Sequence, residues 1–302
     1  MNNLNKLSVI IVTYNTTEKI IVDCLNSIQN NVKVLIVENS NNFLHKNIIN
    51  SKFPNAKIYC TGNNLGYGGG NNYGLQKIDD DYALILNPDI ICDKDLFKNI
   101  SEVINETSDF SIIGCQYLQD KIFMPAGFFN KSKNKEFKQN FLEDNLSPLS
   151  PVEWVTGCSM LLNLKKFENK KIFDENYFLY FEEVDLCKSL IKKGEKIYTS
   201  RKLKIHHLGF KSSSENSSNN ELNISSLREW HWMWSSFYFY RKNYNYLFAI
   251  LKMSGKLIKS LIRIFFYLIT FQKIKKKKYL YRFLGIFNAM IGRPSFFRLK
   301  NK

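Results

Sequence analysis

Hydrophobic and polar positions follow two alternating rhythms over the first 120 residues of the chain. Runs of β-branched and apolar residues lie at Leu7–Thr13, Val32–Val37, Ala56–Cys60, Tyr82–Leu86 and Ser111–Cys115, each of strand length. Between them, Thr17–Gln29, Gly70–Lys77 and Asp95–Asn105 repeat their apolar positions at helical spacing. Strand and helix in alternation predict an α/β domain with a mostly parallel sheet flanked by helices. In such a sheet ligands collect beyond the carboxyl ends of the strands. The tips Thr13-Tyr14-Asn15, Glu38-Asn39-Ser40 and Asn87-Pro88-Asp89 are therefore where chemistry is expected.

The rhythm then changes. Residues 130–150 are polar and predict a long loop; apolar order resumes over Val152–Leu164 and again from Phe173 to Gly209. Ser212–Asn223 has the Ser and Asn content of a second loop. Arg228–Tyr244, with Trp230, Trp232 and Trp234, predicts a helix packing on the catalytic domain. Leu247–Phe271 is nearly all apolar except for Lys252, Lys256, Lys259 and Arg263, which fall within one narrow arc of a helix. Four central cations would cost about 2.5–3.5 kcal/mol each inside a bilayer, so a spanning helix is disfavoured. An amphipathic helix lying in the membrane interface fits the pattern, as does a core helix with one solvated edge. These boundaries predict a catalytic domain over 1–226 and a basic, amphipathic helical tail over 227–302.

Charge sharpens the second half of that picture. The chain has 302 residues, with 43 Lys and Arg against 27 Asp and Glu, a net charge of +16. Residues 1–229 are neutral as a group, and all 16 excess cations lie after Glu229, the last acidic residue. Lys273–Lys278 adds five lysines in six positions, each worth about 1 kcal/mol near an anionic leaflet. An anionic membrane surface contacting residues 247–278 is the expected partner. Nucleic acid is not, because no binding motif accompanies the charge. The six cysteines have neither CxxC nor metal-type spacing and read as reduced thiols of a cytoplasmic protein.

Several short motifs recur in a fixed order: Ser8–Asn15 (SVIIVTYN), Val37–Ser40 (VENS), Asn64–Gly74 (NLGYGGGNNYG) and Leu86–Asp89 (LNPD). Trp154–Gly157 (WVTG) and Phe173–Cys187 (FDENYFLYFEEVDLC) continue the series. In this order and spacing the chain resembles the family 2 glycosyltransferases over about residues 7–245, in their rhamnosyltransferase-like branch. The resemblance implies a GT-A fold, with a nucleotide-sugar half over about 1–120 and an acceptor half over about 150–210. It further implies an inverting, metal-dependent transfer of a hexosyl-type sugar from a nucleotide-diphosphate sugar, dTDP- or UDP-linked and with rhamnose a candidate. The acceptor would be a lipid-linked or surface glycan, and the enzyme would act in polysaccharide biosynthesis at the inner face of the cell membrane.

Residue by residue, the resemblance places the donor against Thr13, Tyr14, Asn15, Glu38, Asn64, Gly66, Gly68, Asn72 and Asn87. A carboxylate at Glu38 suits the N3–H shared by uracil and thymine. The glycines admit a nucleotide close to the backbone, or else they build a tight turn. Asp89 is the expected ligand of a Mg²⁺ or Mn²⁺ ion, with His206 completing the shell ahead of His207. Asp79-Asp80-Asp81 precedes its strand and belongs to a solvated turn. Glu183 is the expected general base, with Asp185 and Glu182 beside it, although acids also gather at helix N-termini for the dipole alone. Trp154 and Gly157 border the implied acceptor pocket, where a core role for Trp154 is the alternative. Two rival functions remain open on the sequence: a sugar nucleotidyltransferase, and a catalytically inactive membrane assembly subunit.

Overall fold

The structure is a computed structural model that describes residues 3–117, 124–208 and 218–298, with the side chains of 218–222 excepted. Its strands are β1 (Leu7–Thr13), β2 (Lys33–Glu38), β3 (Ala56–Cys60), β4 (Tyr82–Leu86), β5 (Ile90–Cys92), β6 (Ile112–Tyr117), β7 (Ala126–Gly127), β8 (Leu149–Val152), β9 (Trp154–Val155), β10 (Ser159–Asn163) and β11 (Ile197–His207). The helices are α1 (Glu18–Asn26), α2 (Lys46–Lys52), α3 (Gly66–Leu75), α4 (Leu96–Glu106), α5 (Lys131–Leu142), α6 (Glu182–Lys192), α7 (Ser218–Asn243), α8 (Tyr246–Ile269) and α9 (Lys273–Met290).

The chain divides into two compact units, one of residues 1–173 and 186–214 and the other of residues 174–185 and 215–302. The first holds a nine-stranded sheet in the order β3-β2-β1-β4-β10-β6-β11-β5, with β8 beside β11. Pairing is parallel from β3 through β4, turns antiparallel around β10, and is parallel again between β6 and β11. The alternation of side chains along each strand feeds two apolar layers. Val9, Ile11, Val34, Ile36, Leu84 and Leu86 pack with α1 and α4 on one face. Ile10, Leu35, Val37, Ala83 and Ile85 pack on the other, with Leu75 of α3 and Leu186, Cys187 and Leu190 of α6.

The expected strands stand within a residue or two, and so does the helix α4; α1 ends three residues before the expected Gln29. The 130–150 loop does not stand. Lys131–Leu142 is a helix because the Asn130 side chain accepts the N–H groups of Ser132 and Lys133, and Phe137 is buried against the second apolar layer. Part of the Ser212–Asn223 loop is also helical: Ser218–Asn223 opens α7, where Lys277 donates to Asn223 at 3.2 Å, and 212–217 lies outside the described residues. Asp79, Asp80 and Asp81 pair with Lys170, Lys33, Lys6 and Lys165 at the end where β4 begins, away from the strand tips.

In the second unit, α8 and α9 pack on α7 around Trp230, Met233, Trp234, Phe237, Met253 and Ile286. Gly285 lets α9 close on α7, since a Cβ there would collide with the Trp230 carbonyl. His231, fully buried, bonds the Phe297 carbonyl at 2.8 Å through Nε2, and Trp234 donates to the Arg293 carbonyl at 2.9 Å, so the segment after α9 folds back onto α7.

Candidate active site

Strand register aligns the expected tips. Thr13 lies opposite Glu38 across β1–β2, and Ile11 opposite Leu86 across β1–β4, so the segments leaving β1, β2 and β4 emerge side by side. Glu38 is buried, and the first tip engages both its oxygens. Thr13 donates to Oε2 at 2.6 Å, and the Asn15 N–H donates to Oε1 at 3.2 Å. Asn15 itself has φ 50°, a left-handed conformation that Asn tolerates better than most residues. Glu38 therefore braces the turn that carries half-buried Tyr14 and exposed Asn15, and its carboxylate keeps acceptor capacity beyond these two bonds.

The glycine-rich stretch is helical from Gly66, four residues before the expected start at Gly70. Gly66 opens α3 with φ 77°, its N–H held by Asn64 Oδ1 at 3.0 Å and its carbonyl by Asn39 Nδ2 at 2.8 Å. A Cβ on Gly70 would sit 2.7 Å from Val12 Cγ1, and one on Gly74 would sit 2.8 Å from Ile10 Cγ2, so these glycines let α3 lie close on β1. Gly68 is buried in the same helix. Asn72, expected at the donor, is buried and bonds Phe173 instead. Its Nδ2 donates to the carbonyl and its Oδ1 accepts the N–H, both at 2.9 Å.

Asp89 is 1% exposed, just beyond β4. β5 pairs antiparallel with β11, placing His207 opposite Ile90 and His206 opposite Ile91, and the Leu208 N–H donates to the Asp89 carbonyl at 2.9 Å. Neighbouring side chains on a strand face opposite ways. His207 Nε2 lies 3.5 Å from Asp89 Oδ1, whereas His206 is exposed. Of the two histidines, the alternation along β11 brings His207, not the expected His206, beside Asp89. Behind Asp89, burial first, then Cys92 and Asp89, push the Cys24 thiol well up, and its sulfur donates to the Asn87 carbonyl at 3.9 Å. Half-buried Asn87 donates its N–H to Cys158 at 2.8 Å.

A carboxylate oxygen beside an imidazole nitrogen suits Mg²⁺ or Mn²⁺. No three His, Cys, Asp or Glu side chains gather among the described residues, so an ion here needs water or phosphate oxygens to complete its shell. Trp154 packs its ring over Gly127 and the second apolar layer, and Gly157 accepts a hydrogen bond from the Tyr67 hydroxyl. A cavity of about 410 Å³ lined by α5 and the segment 145–151 includes none of the expected site residues.

In the second unit the three clustered acids have different surroundings. Asp185 is buried and bound twice, by Lys242 Nζ at 2.5 Å and by Asn243 Nδ2 at 2.7 Å. Lys242 also reaches Asp174 at 2.7 Å. Glu182 is 4% exposed, and burial first, then Glu183, raise its carboxyl well above the usual range. Its Oε2 has no hydrogen-bond partner among the described residues. Glu183 is half-buried and keeps access to solvent. Lys242 was not singled out in the sequence; a lone lysine near the end of an aromatic helix gives no sign of two distant carboxylates.

The sequence model described as glycosyl transferase family 2 matches residues 8–169, more than half of the chain. The chain belongs to glycosyl transferase family 2. Its activity is glycosyl transfer from a nucleotide-sugar, which decides against a nucleotidyltransferase. Among family relatives, rhamnosyltransferase WbbL of Escherichia coli K12 is 26% identical over 207 residues, covering 60% of this chain and 74% of its own. The low-salt glycan biosynthesis hexosyltransferase Agl10 of Haloferax volcanii is 25% identical, covering 61% of each chain. The N-acetylglucosaminyl-diphospho-decaprenol L-rhamnosyltransferase of Mycobacterium tuberculosis is 24% identical over 67% of this chain and 76% of its own. In fold, the chain resembles the Pyrobaculum calidifontis mannosyltransferase PcManGT, solved in complex with GDP-Man and Mn²⁺. The TM-score is 0.52 at 10% identity, over 94% of this chain and 87% of that one. The architecture is that of a GT-A glycosyltransferase. The family match takes in Glu38, Asn64, Gly66 and Asp89 but ends before Glu182, Glu183, Asp185 and His207.

Proposed function

We propose that this glycosyltransferase moves a hexose or deoxyhexose, with rhamnose the leading candidate, from a dTDP- or UDP-sugar to a lipid-linked glycan, inverting the anomeric centre. The observation that carries the reading is buried Asp89 with His207 3.5 Å away, at the sheet edge where β1, β2 and β4 end. Asp89 and His207 would hold a Mg²⁺ or Mn²⁺ ion, which when bound neutralises charge growing on the departing diphosphate. Glu38 holds the Thr13–Asn15 turn against the nucleotide base. The names of the relatives support the sugar class, two being rhamnosyltransferases, and one of these is named for a prenyl-diphosphate-linked sugar acceptor.

Glu183 takes the acceptor proton as its oxygen attacks the anomeric carbon. Burial and the Glu183 charge raise the Glu182 carboxyl, Asp185 is bonded to Lys242 and Asn243, and Glu183 is half-buried with access to solvent. The test is a screen of dTDP-, UDP- and GDP-sugars with Mn²⁺. Absence of binding, hydrolysis and transfer would sink the enzyme reading and favour an inactive assembly subunit. Activity left intact in Glu183→Gln would reject the base.

The same reading docks the enzyme on an anionic membrane through residues 247–278. No helix among the described residues is long and apolar enough to cross a membrane. Along α8, Leu247, Leu251, Ile258, Ile262, Phe265 and Ile269 recur on one face and are all more than half exposed, while Lys252, Lys256 and Lys259 line the next edge. Each apolar side chain placed in lipid is worth about 1–2 kcal/mol at such exposures. Ile262→Asp with Phe265→Asp should release the protein from phosphatidylglycerol vesicles at low salt. Undiminished binding would show that this face is not the anchor.

A further inference from the structure

Between Trp230 and Phe239 helix α7 is buried or half-buried at every position except Trp232, which is 44% exposed. Trp230 and Trp234, two positions to either side, are 2% and 3% exposed. Large aromatic side chains normally contribute to a core, and Trp232 is the one outward position on this packed stretch.

What lies against it is equally unusual. The Tyr180 and Phe181 rings meet the Trp232 ring at 5.2 and 5.4 Å. Both residues have left-handed backbones, φ 69° and 72°, although neither is glycine. Two bulky residues in succession in that region represent strain, and strain of this kind persists where the surroundings fix it and concentrates at functional sites. Phe181 is fixed by a second ring, Phe239, at 5.4 Å. The next residues in the chain are Glu182 and Glu183. Charged groups acting on the Tyr180 hydroxyl are Arg228, Glu182, Glu229 and Glu183, in that order. Carboxylates outnumber the one cation around this aromatic face, and Glu183, two residues after Phe181, is the one proposed to accept the acceptor's proton.

Resting on the transfer reading above, the geometry points to Trp232, Tyr180 and Phe181 as the platform that holds the acceptor's sugar ring. A pyranose presents a face of C–H bonds to an aromatic ring and a rim of hydroxyls to charged neighbours, matching both parts of the patch. A prenyl chain alone matches only the first part.

The test uses the full-length protein and calorimetric titration with N-acetylglucosaminyl diphospho-citronellol, a soluble short-chain probe, in the absence of donor. Trp232→Ala should weaken binding about tenfold or more, and Trp232→Phe should recover most of it. Thermal melts and titration with dTDP or UDP report whether each variant is folded and its nucleotide site intact. Wild-type protein that does not bind the probe, or Trp232→Ala binding within twofold of wild type, overturns the platform. Those outcomes, with nucleotide binding and donor hydrolysis preserved, leave the transfer reading standing. Loss of donor turnover in the wild type fails that reading instead.

Discussion

Lys242→Met tests the clamp that holds the acid cluster. Lys242 Nζ lies 2.5 Å from Asp185 and 2.7 Å from Asp174, whose side chains are 5% and 16% exposed, while the lysine side chain is 39% exposed. Removing the cation from a fully buried pair would cost about 3–5 kcal/mol, because a buried carboxylate loses its countercharge. Exposure of the lysine screens that cost. Asn243 keeps its 2.7 Å bond to Asp185, Tyr238 keeps its 3.1 Å bond to Asp174, and Met retains the apolar stem. The expected loss is about 2 kcal/mol.

Urea unfolding followed by tryptophan fluorescence reads this directly, since three of the four tryptophans lie on α7. The midpoint should fall at unchanged slope. The pH dependence supplies a second check. Burial pushes Asp174 up, but bonds from Lys242 and Asn176 more than offset it, and its carboxyl ends below the usual range. Burial pulls Lys242 down, but Asp174 and Asp185 carry it above its usual value. The depressed acid contributes fully above about pH 4 and loses its contribution as pH falls through its folded value. The raised base contributes fully below about pH 10 and loses its contribution as pH rises through its folded value. The gap between wild type and variant should be flat from about pH 5 to 10 and shrink toward pH 3. A gap below about 0.5 kcal/mol at pH 7, or one that does not shrink in acid, refutes the clamp.

Gly70→Ala should lower stability by about 1–3 kcal/mol in a thermal or urea melt, because the new Cβ meets Val12 Cγ1 at 2.7 Å and Asn39 Nδ2 at 2.9 Å, and this outweighs a helix-propensity gain of about 1 kcal/mol. Glu182→Gln should be at least as stable as wild type at pH 8 and should remove a stability loss that wild type shows as pH rises above the ordinary carboxyl range, since burial raises that carboxyl in the folded state; equal pH profiles would contradict the raised Glu182 carboxyl. His207→Ala should abolish saturable Mn²⁺ binding in the presence of nucleotide, while His206→Ala should leave it within twofold; the reverse result would restore His206.

Much of the donor half was legible because a buried parallel strand must be apolar on both faces. Val9, Ile10 and Ile11 supply opposite layers from consecutive positions, and such a run has few readings other than a central strand. Helix α5 was not legible for the opposite reason. Its only buried side chain is Phe137, so composition signals a loop, and the Asn130 cap and one anchor override it. The choice between His206 and His207 was closed to sequence reasoning as well. It depends on which face of β11 turns toward Asp89, and that follows from pairing with β5, a three-residue strand that no periodicity reveals.

The acid cluster shows most clearly what adjacency in sequence leaves undecided. Glu182, Glu183 and Asp185 sit in the first turn of α6, where the helix dipole favours any carboxylate, so the sequence presents three equivalent candidates. Their environments separate them. Glu182 is buried without a countercharge, which raises its carboxyl; Asp185 is bonded to Lys242 and Asn243 as part of the fold. A general base needs access to its substrate, and the two buried carboxyls lack it. Glu183 is the half-buried member with access to solvent, and Trp232 is the outward ring beside the turn that precedes it. Charge reversal at Lys242 should therefore damage the fold before the chemistry, whereas Glu183→Gln should do the opposite.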